Sequence, residues 1–487
     1  MKRREFLKYA GAFAGGGMAV LVVGNKIPWV MKGPGSASAA VVQSLNFHIS
    51  DIMKEMGTHN AENDARCYFW TYRSVVPDYP PECPGPVIMV TKGDTVDISV
   101  TNDLDEPHAF YIPGMVDSGP ILPTQTWTAS FIANKSGAHL YYDNLNEPVN
   151  RMMGLHGALI VRPDAPALGH NFTPYDNPTA HVQDIFDSFG TEVYPGLKWE
   201  EGDPLTNCPP FRQNLWLLHQ ASPRLFAEVG SLPAGALYDP VEFMDKFLKG
   251  PFKVNNSSIS NDPSYGPQYF TINGQSGFFS HFSPWVTPMS RVGEPVVVHI
   301  LNAGLWTHSM HMHANHFYIT SINGEPNPNP IWVDVYTVHA MDAIDYTVPF
   351  MRIPDVPNLR GIGRPDTPLL SEKGLPAYPC VEEFEVYLPG SGEEIAQDIN
   401  GSSIDLKQRQ SPLCYPVHDH SEPSQTSQGG NYNTGMIAGM YIVGDRNMPG
   451  SMDFPMDEDF ALAFENIRGH QSTDQAAPPI GGQHAVP

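Results

Sequence analysis

The sequence predicts an all-β protein assembled from two or three barrel-sized modules, and three observations carry that prediction. The first is length: 487 residues exceed one β-barrel and suit two or three modules of ordinary size. The second is punctuation. The chain holds 48 Pro and 43 Gly against only 16% charged residues, which fits many short strands joined by turns better than long helices. The third is patterning. Val87-Ile88-Met89-Val90 is a continuous apolar run, Lys92-Gly93-Asp94 is a turn, and Thr95 to Val100 then alternates polar and apolar residues, as a half-buried strand must.

Taken in order, residues 1–39 read as an export signal. Lys2-Arg3-Arg4-Glu5-Phe6-Leu7-Lys8 precedes an apolar, Gly-rich stretch from Tyr9 to Gly24, and Ala37-Ser38-Ala39 offers a small-residue cleavage site. The paired arginines resemble the bacterial twin-arginine signal, a route that exports folded proteins to the periplasm or beyond. The run Gly15-Gly16-Gly17 makes a poor spanning helix, so a cleaved signal with no stable membrane span is expected. Residues 45–165 form the first β module, with further strands at Trp127–Ile132 and Gly157–Val161. Residues 166–210, rich in Pro, Asn and Asp, read as a linker or elaborated loop. The second β region spans 211–447, opening at Gln213–Leu218 and carrying one short helical stretch at Val241–Leu248. Residues 448–487 are a polar tail. No short repeat is visible, and the two β regions are at most distant copies.

The motifs within this frame resemble those of the multicopper oxidases. Pro84-Gly85-Pro86, Gly93-Asp94-Thr95-Val96 and Val100-Thr101-Asn102-Asp103-Leu104 are similar to the opening of that family's first domain. Ile121 to Thr126 and Met153 to Val161 are similar to its later framework. In the second half, Phe270-Thr271-Ile272-Asn273-Gly274 and Gly293 to Val297 lead to His308-Ser309-Met310-His311-Met312-His313, similar to the family's HxxHxH. His418-Asp419-His420 stands at its HCH, and Gly435-Met436 at the Gly-Met that follows. The resemblance implies cupredoxin-like Greek-key β-barrels, copper as cofactor and oxidoreductase chemistry.

The spacing makes independent physical sense. Residues two apart on a strand share a face and residues three apart do not. His311 with His313, and His418 with His420, should therefore converge, while His308 and Asp419 turn to the other side. Imidazole suits copper, zinc or iron, so these four histidines are the expected metal ligands. His308, Asp419, Tyr142 and Asp143 are weaker candidates. The alternative is two His-rich strands held by ordinary hydrogen bonds. Met310 and Met312 fit core packing better than ligation, and His316 reads as structural.

The chain departs from the family pattern at specific positions. A blue copper needs a thiolate, and Asp419 stands in its place. Ser424 stands where that site's second histidine would fall, and Ser427–Asn431 is inserted before Met436. Cys414 lies about 13 Å of extended strand from His418, too far to substitute. In the first module the two HxH motifs fall on Tyr111-Ile112-Pro113 and Tyr142-Asp143-Asn144. His108, His139 and His156 lie nearby but out of register. The five cysteines are Cys67, Cys83, Cys208, Cys380 and Cys414. Their odd number leaves at least one unpaired within the chain, and none forms a CxxC or CxH arrangement.

The formal net charge of −24 argues against nucleic acid or anionic lipid as partners. No Gly-x-Ser-x-Gly elbow, phosphate loop or dinucleotide fingerprint is present. Three functional expectations remain open. One is a copper metalloprotein with a reduced histidine site, capable of oxidoreductase chemistry on a small molecule or metal substrate but without blue-copper electron input. A second is a non-catalytic copper-binding or partner-binding scaffold. A third is a homo-oligomer in which ligands come from a neighbouring copy.

Overall fold

The computed structural model describes residues 42–56, 65–163, 169–189, 211–249, 263–349, 413–425 and 435–445, apart from single positions and pairs within these spans, and the short strands Val20–Val22, Leu369–Leu370 and Pro376–Ala377. The expected signal, apart from Val20–Val22, lies outside the described residues. So do Cys208, Cys380, the Ser427–Asn431 insertion and the tail. Val20–Val22 pairs in parallel with Val87–Met89.

The first β region folds as two facing sheets. One orders the strands Val87–Thr91, His156–Arg162, Gly137–Tyr142 and Tyr111–Ile112. The other orders Ala65–Val76, Val42–Met56, Thr95–Asn102 and Thr126–Ile132. The strand Thr95–Asn102 buries every second residue, as its alternation predicts. Leu45, Phe47, Val96, Ile98, Val100, Phe110 and Tyr141 close the core between the sheets.

The second β region repeats this plan. A sheet containing Arg212–Ala221, Val296–Asn302 and Ala343–Val348 faces another ordered Met289–Val292, Ile437–Asp445, Leu413–Asp419, His308–Met312 and Val335–Val338. The repeat extends to side-chain detail. Asn102 Nδ2 donates to the Glu106 carbonyl at 2.7 Å, and Asn302 Nδ2 donates to the Trp306 carbonyl at 2.7 Å. Asn102 Oδ1 accepts from the Leu104 amide, and Asn302 Oδ1 from the Gly304 amide. Tyr111 pairs across its sheet with Tyr142 as His311 pairs with His418. The two halves are thus internal copies whose kinship lies in hydrogen bonds and register more than in residue identity.

Strands that read as continuous apolar runs are covered on both faces. His156–Arg162 and Val296–Asn302 are buried almost throughout, because one face meets its own core and the other meets the opposite half. Val87, Ala138, Ala158 and Ile160 pack there against Leu215, Leu217, Leu301 and Ala303.

The helices answer what the sequence left open about residues 166–265. Pro223–Gly230 starts with Pro at its first turn and Ser222 as N-cap, the hydroxyl accepting from the Leu225 amide, as capping requires. Its Leu225, Phe226 and Val229, with Phe243 and Phe247 of the helix Pro240–Lys249, join the core of the first region. Phe226 meets Phe69 edge to face at 5.4 Å. A boundary at residue 211 is therefore not a boundary of packing: the helix Pro223–Gly230 follows it in sequence but packs on the strand Ala65–Val76, and Phe243 and Phe247 of the next helix stack on Phe226. The helix Ala180–Ser188, not anticipated from composition, packs Val182 and Phe186 with Phe211 and Val297.

Candidate metal centre

The strands His308–Met312 and Leu413–Asp419 are antiparallel neighbours with His311 opposite His418 and Met310 opposite Asp419. Alternation does the rest. His308, Met310 and Met312 are buried, whereas His311 is half-buried and His313 exposed. Met310 and Met312 pack into the core, as their register implies.

Three imidazoles converge on the outer face. His311, His313 and His418 each offer a ring nitrogen, and these atoms lie within 4.8 Å of one another, which among the described residues defines one candidate metal-binding group. Nε2 of His313 and Nε2 of His418 are 2.9 Å apart. His420 stands beside the group, its ring centroid 5.2 Å from His311 and 5.7 Å from His418, but its nitrogens fall outside the tight set.

Backbone carbonyls fix the tautomers. His311 Nδ1 donates to the Asp334 carbonyl at 3.0 Å, and His418 Nδ1 donates to the Asp419 carbonyl at 3.0 Å. Both rings therefore present Nε2 as a lone pair, the arrangement that metal-binding histidines adopt. Partial burial, and then the mutual repulsion of the clustered rings, lowers the pKa of His313 and of His418. The proton is thereby a weaker competitor for the nitrogens at neutral pH.

The inner face is a different environment. His308 and Asp419 are fully buried. His308 Nδ1 donates to Asp419 Oδ2 at 2.6 Å, and His308 Nε2 meets Gln220 Nε2 at 2.6 Å. Gln220 Oε1 is occupied by the Leu305 amide at 2.8 Å, so its amide nitrogen is the donor and His308 Nε2 the acceptor. Asp419 Oδ1 accepts the amides of Ser309 at 2.7 Å and Ser421 at 3.1 Å, and the Ser424 hydroxyl donates to Oδ2. Burial opposes ionisation of Asp419, but His308, Ser424 and the Ser309 amide outweigh it and hold the carboxyl below the usual range.

The weaker first-region candidates are engaged in the same manner. Asp143 is buried and accepts from His108 Nδ1 at 2.7 Å, Asn150 Nδ2 at 2.9 Å and the Leu145 amide at 2.8 Å. Tyr142 packs edge to face on Tyr111 at 5.4 Å. His139 Nε2 meets the Lys135 carbonyl, His156 Nδ1 meets the Arg151 carbonyl, and the His316 ring stacks on Trp332. Sequence reasoning missed Gln220, which no spacing connects to His308. It also missed that His108–Asp143 is the internal copy of His308–Asp419. The shared interval from His108 to Tyr111 and from His308 to His311 was the available signal.

Comparison with known proteins accords with this architecture. Residues 71–166 and 257–348 each match the multicopper oxidase family. Over these two segments, less than half of the chain, the sequence is similar to multicopper oxidase domains. It is 28% identical over 143 residues to the L-ascorbate oxidase of Cucumis sativus, covering 25% of this chain and 24% of that protein. It is 21% identical over 280 residues to Copper resistance protein A of Escherichia coli, covering 54% of this chain and 41% of that protein. The matches thus span less than half of either relative. Among solved structures, the Blue Copper Oxidase from Nitrosomonas europaea covers 89% of this chain and 96% of its own, with 17% identity and a TM-score of 0.46. The two facing-sheet halves accord with the barrels expected from the sequence, and copper is the ion that the matched family implies. The outer face fits that ion, because imidazole is a good copper donor and three imidazole rings already share one small volume. The inner face does not fit it: both His308 nitrogens are engaged and Asp419 is surrounded by donors.

Proposed function

We propose that this is an exported copper protein in which His311, His313 and His418, with His420 alongside, hold the ion in a reduced, all-histidine site that supports oxidoreductase chemistry without a blue copper. The convergence of three ring nitrogens within 4.8 Å carries this reading. Copper bound there supplies one-electron redox chemistry or polarises an oxygen ligand. The chain's own contribution is positional. The Asp334 and Asp419 carbonyls orient His311 and His418, and the buried Met310 and Met312 exclude water beneath the strand. His313 is exposed, so a small molecule can approach from solvent. Asp419 stands where a thiolate ligand would, so electrons come directly from the substrate.

The second reading, a copper-binding or partner-binding scaffold without turnover, is favoured by one observation: Tyr111 and Tyr142 occupy the first-region positions corresponding to His311 and His418. Elemental analysis decides the common premise. Replacing His311 and His418 together by Ala should abolish stoichiometric copper while the protein stays folded, and full retention would overturn the histidine copper site. Oxidase assays on the copper-loaded protein then separate them. Export is supported by the Arg3-Arg4 signal. Among the described residues no helix is long and apolar enough to cross a membrane.

A further inference from the structure

We infer that Asp419 is the positioning residue of the histidine cluster: its carboxylate, clamped by His308, Ser309, Ser421 and Ser424, fixes the peptide whose carbonyl orients the His418 ring. The inference rests on the copper reading for its functional consequence but not for its geometry. It also assigns a role to the inner face, where a thiolate-bound copper does not fit.

Asp419 acts through two ends of one residue. Its side chain points inward and collects four donors, His308 Nδ1, the Ser424 hydroxyl and the amides of Ser309 and Ser421. Its backbone carbonyl accepts His418 Nδ1 at 3.0 Å. Holding the carboxylate therefore holds the carbonyl, and the carbonyl sets which His418 nitrogen is free. The clamp extends further. Gln220 donates to His308 Nε2, while its oxygen accepts the amides of Leu305 and Trp306. That loop is tied to the first region by Arg151, which donates to the carbonyls of Ala303 and Gly304. A ligand at the surface is thus braced through a buried chain of hydrogen bonds to the opposite half of the protein.

The internal copy shows that this centre forms without metal-binding imidazoles beside it. Asp143 takes the same donors in the same places, the ring nitrogen of His108 and the amide two residues on, although Tyr142 and Asn144 flank it. The His–Asp separations are 2.7 Å and 2.6 Å. In each pair the imidazole Nδ1 donates to the carboxylate.

Only a carboxylate can accept four donors here. An amide offers one oxygen and adds two hydrogens, so Asp419→Asn leaves two donors facing an NH2 group and loosens the peptide. Ring nitrogen NMR of the metal-free full-length protein reads this directly. In the wild type His418 should carry its proton on Nδ1, and in Asp419→Asn it should populate both tautomers. Ser424→Ala, which removes one donor of four, should give a smaller change and keeps the test available if Asp419→Asn does not fold. Copper titration with EPR supplies the second arm: Asp419→Asn should bind about 10–100-fold more weakly with an altered copper hyperfine splitting. An unchanged His418 tautomer together with wild-type copper affinity and spectrum would overturn the positioning role. A held tautomer in a wild-type protein that takes no copper would instead overturn the copper reading and leave the positioning of His418 standing.

Discussion

Acid should unfold this protein by way of two buried imidazoles at the seam between its halves. His156 and His219 come from opposite halves, and their ring centroids lie 4.5 Å apart. Both are buried. His156 Nδ1 donates to the Arg151 carbonyl, and His219 Nε2 donates to the Met152 carbonyl. Burial, opposed in part by the hydrogen bond to the Arg151 carbonyl and reinforced to a smaller extent by the Arg151 guanidinium, lowers His156 from its ordinary 6.5 to about 4. His219 is lowered in the same direction by burial and by His156. Below pH 6.5 the unfolded chain binds protons at these positions and the folded chain does not, so stability falls as pH falls. A tenfold difference in proton affinity between the folded and unfolded chain is worth about 1.4 kcal/mol, so His156 alone should remove about 3 kcal/mol between pH 7 and pH 4. Urea unfolding across that range, on the wild type and on His156→Asn, measures it. The Asn amide can still donate to the Arg151 carbonyl but does not titrate. The wild type should lose about 3 kcal/mol more than the variant, and parallel pH profiles would refute the reasoning.

Two further outcomes follow from the same physics. Asp143→Asn leaves the buried His108 without its carboxylate and should cost about 3 kcal/mol in denaturant unfolding. Burial disfavours the His108 cation, but Asp143 and Glu106 outweigh it and raise its pKa, so the contribution of this pair is complete below pH 6.5 and fades as pH rises through the folded value. Replacing Arg3 and Arg4 together by Lys should leave the protein in the cytoplasmic fraction, whereas undiminished export would remove the twin-arginine assignment.

Much of the fold was legible because strand periodicity is a local property. The alternation of Thr95–Val100 and the apolar run at Val87–Val90 needed no partner to be read. The grouping of His311, His313 and His418 on one face, opposite His308 and Asp419, follows from the pleat alone. The helix at Pro223–Gly230 was not legible, since a short apolar stretch such as Leu225-Phe226 serves strand and helix equally. The chain reveals which only where Phe69 and Phe243 wait to receive it.

The sequence by itself determined the all-β class, the family resemblance, the absence of a thiolate at residue 419 and the four histidines that can meet on an outer face. These are matters of residue type and of spacing within one strand. Tertiary structure decided what the missing thiolate became. Asp419 could be read as a spare ligand, but the structure surrounds it with donors from residues 308, 309, 421 and 424. It also recruits Gln220, 88 positions from His308, and reveals the first half as a copy of the second. Such assignments depend on which strands pair and in what register, and that is set by burying two cores and the seam between them at once.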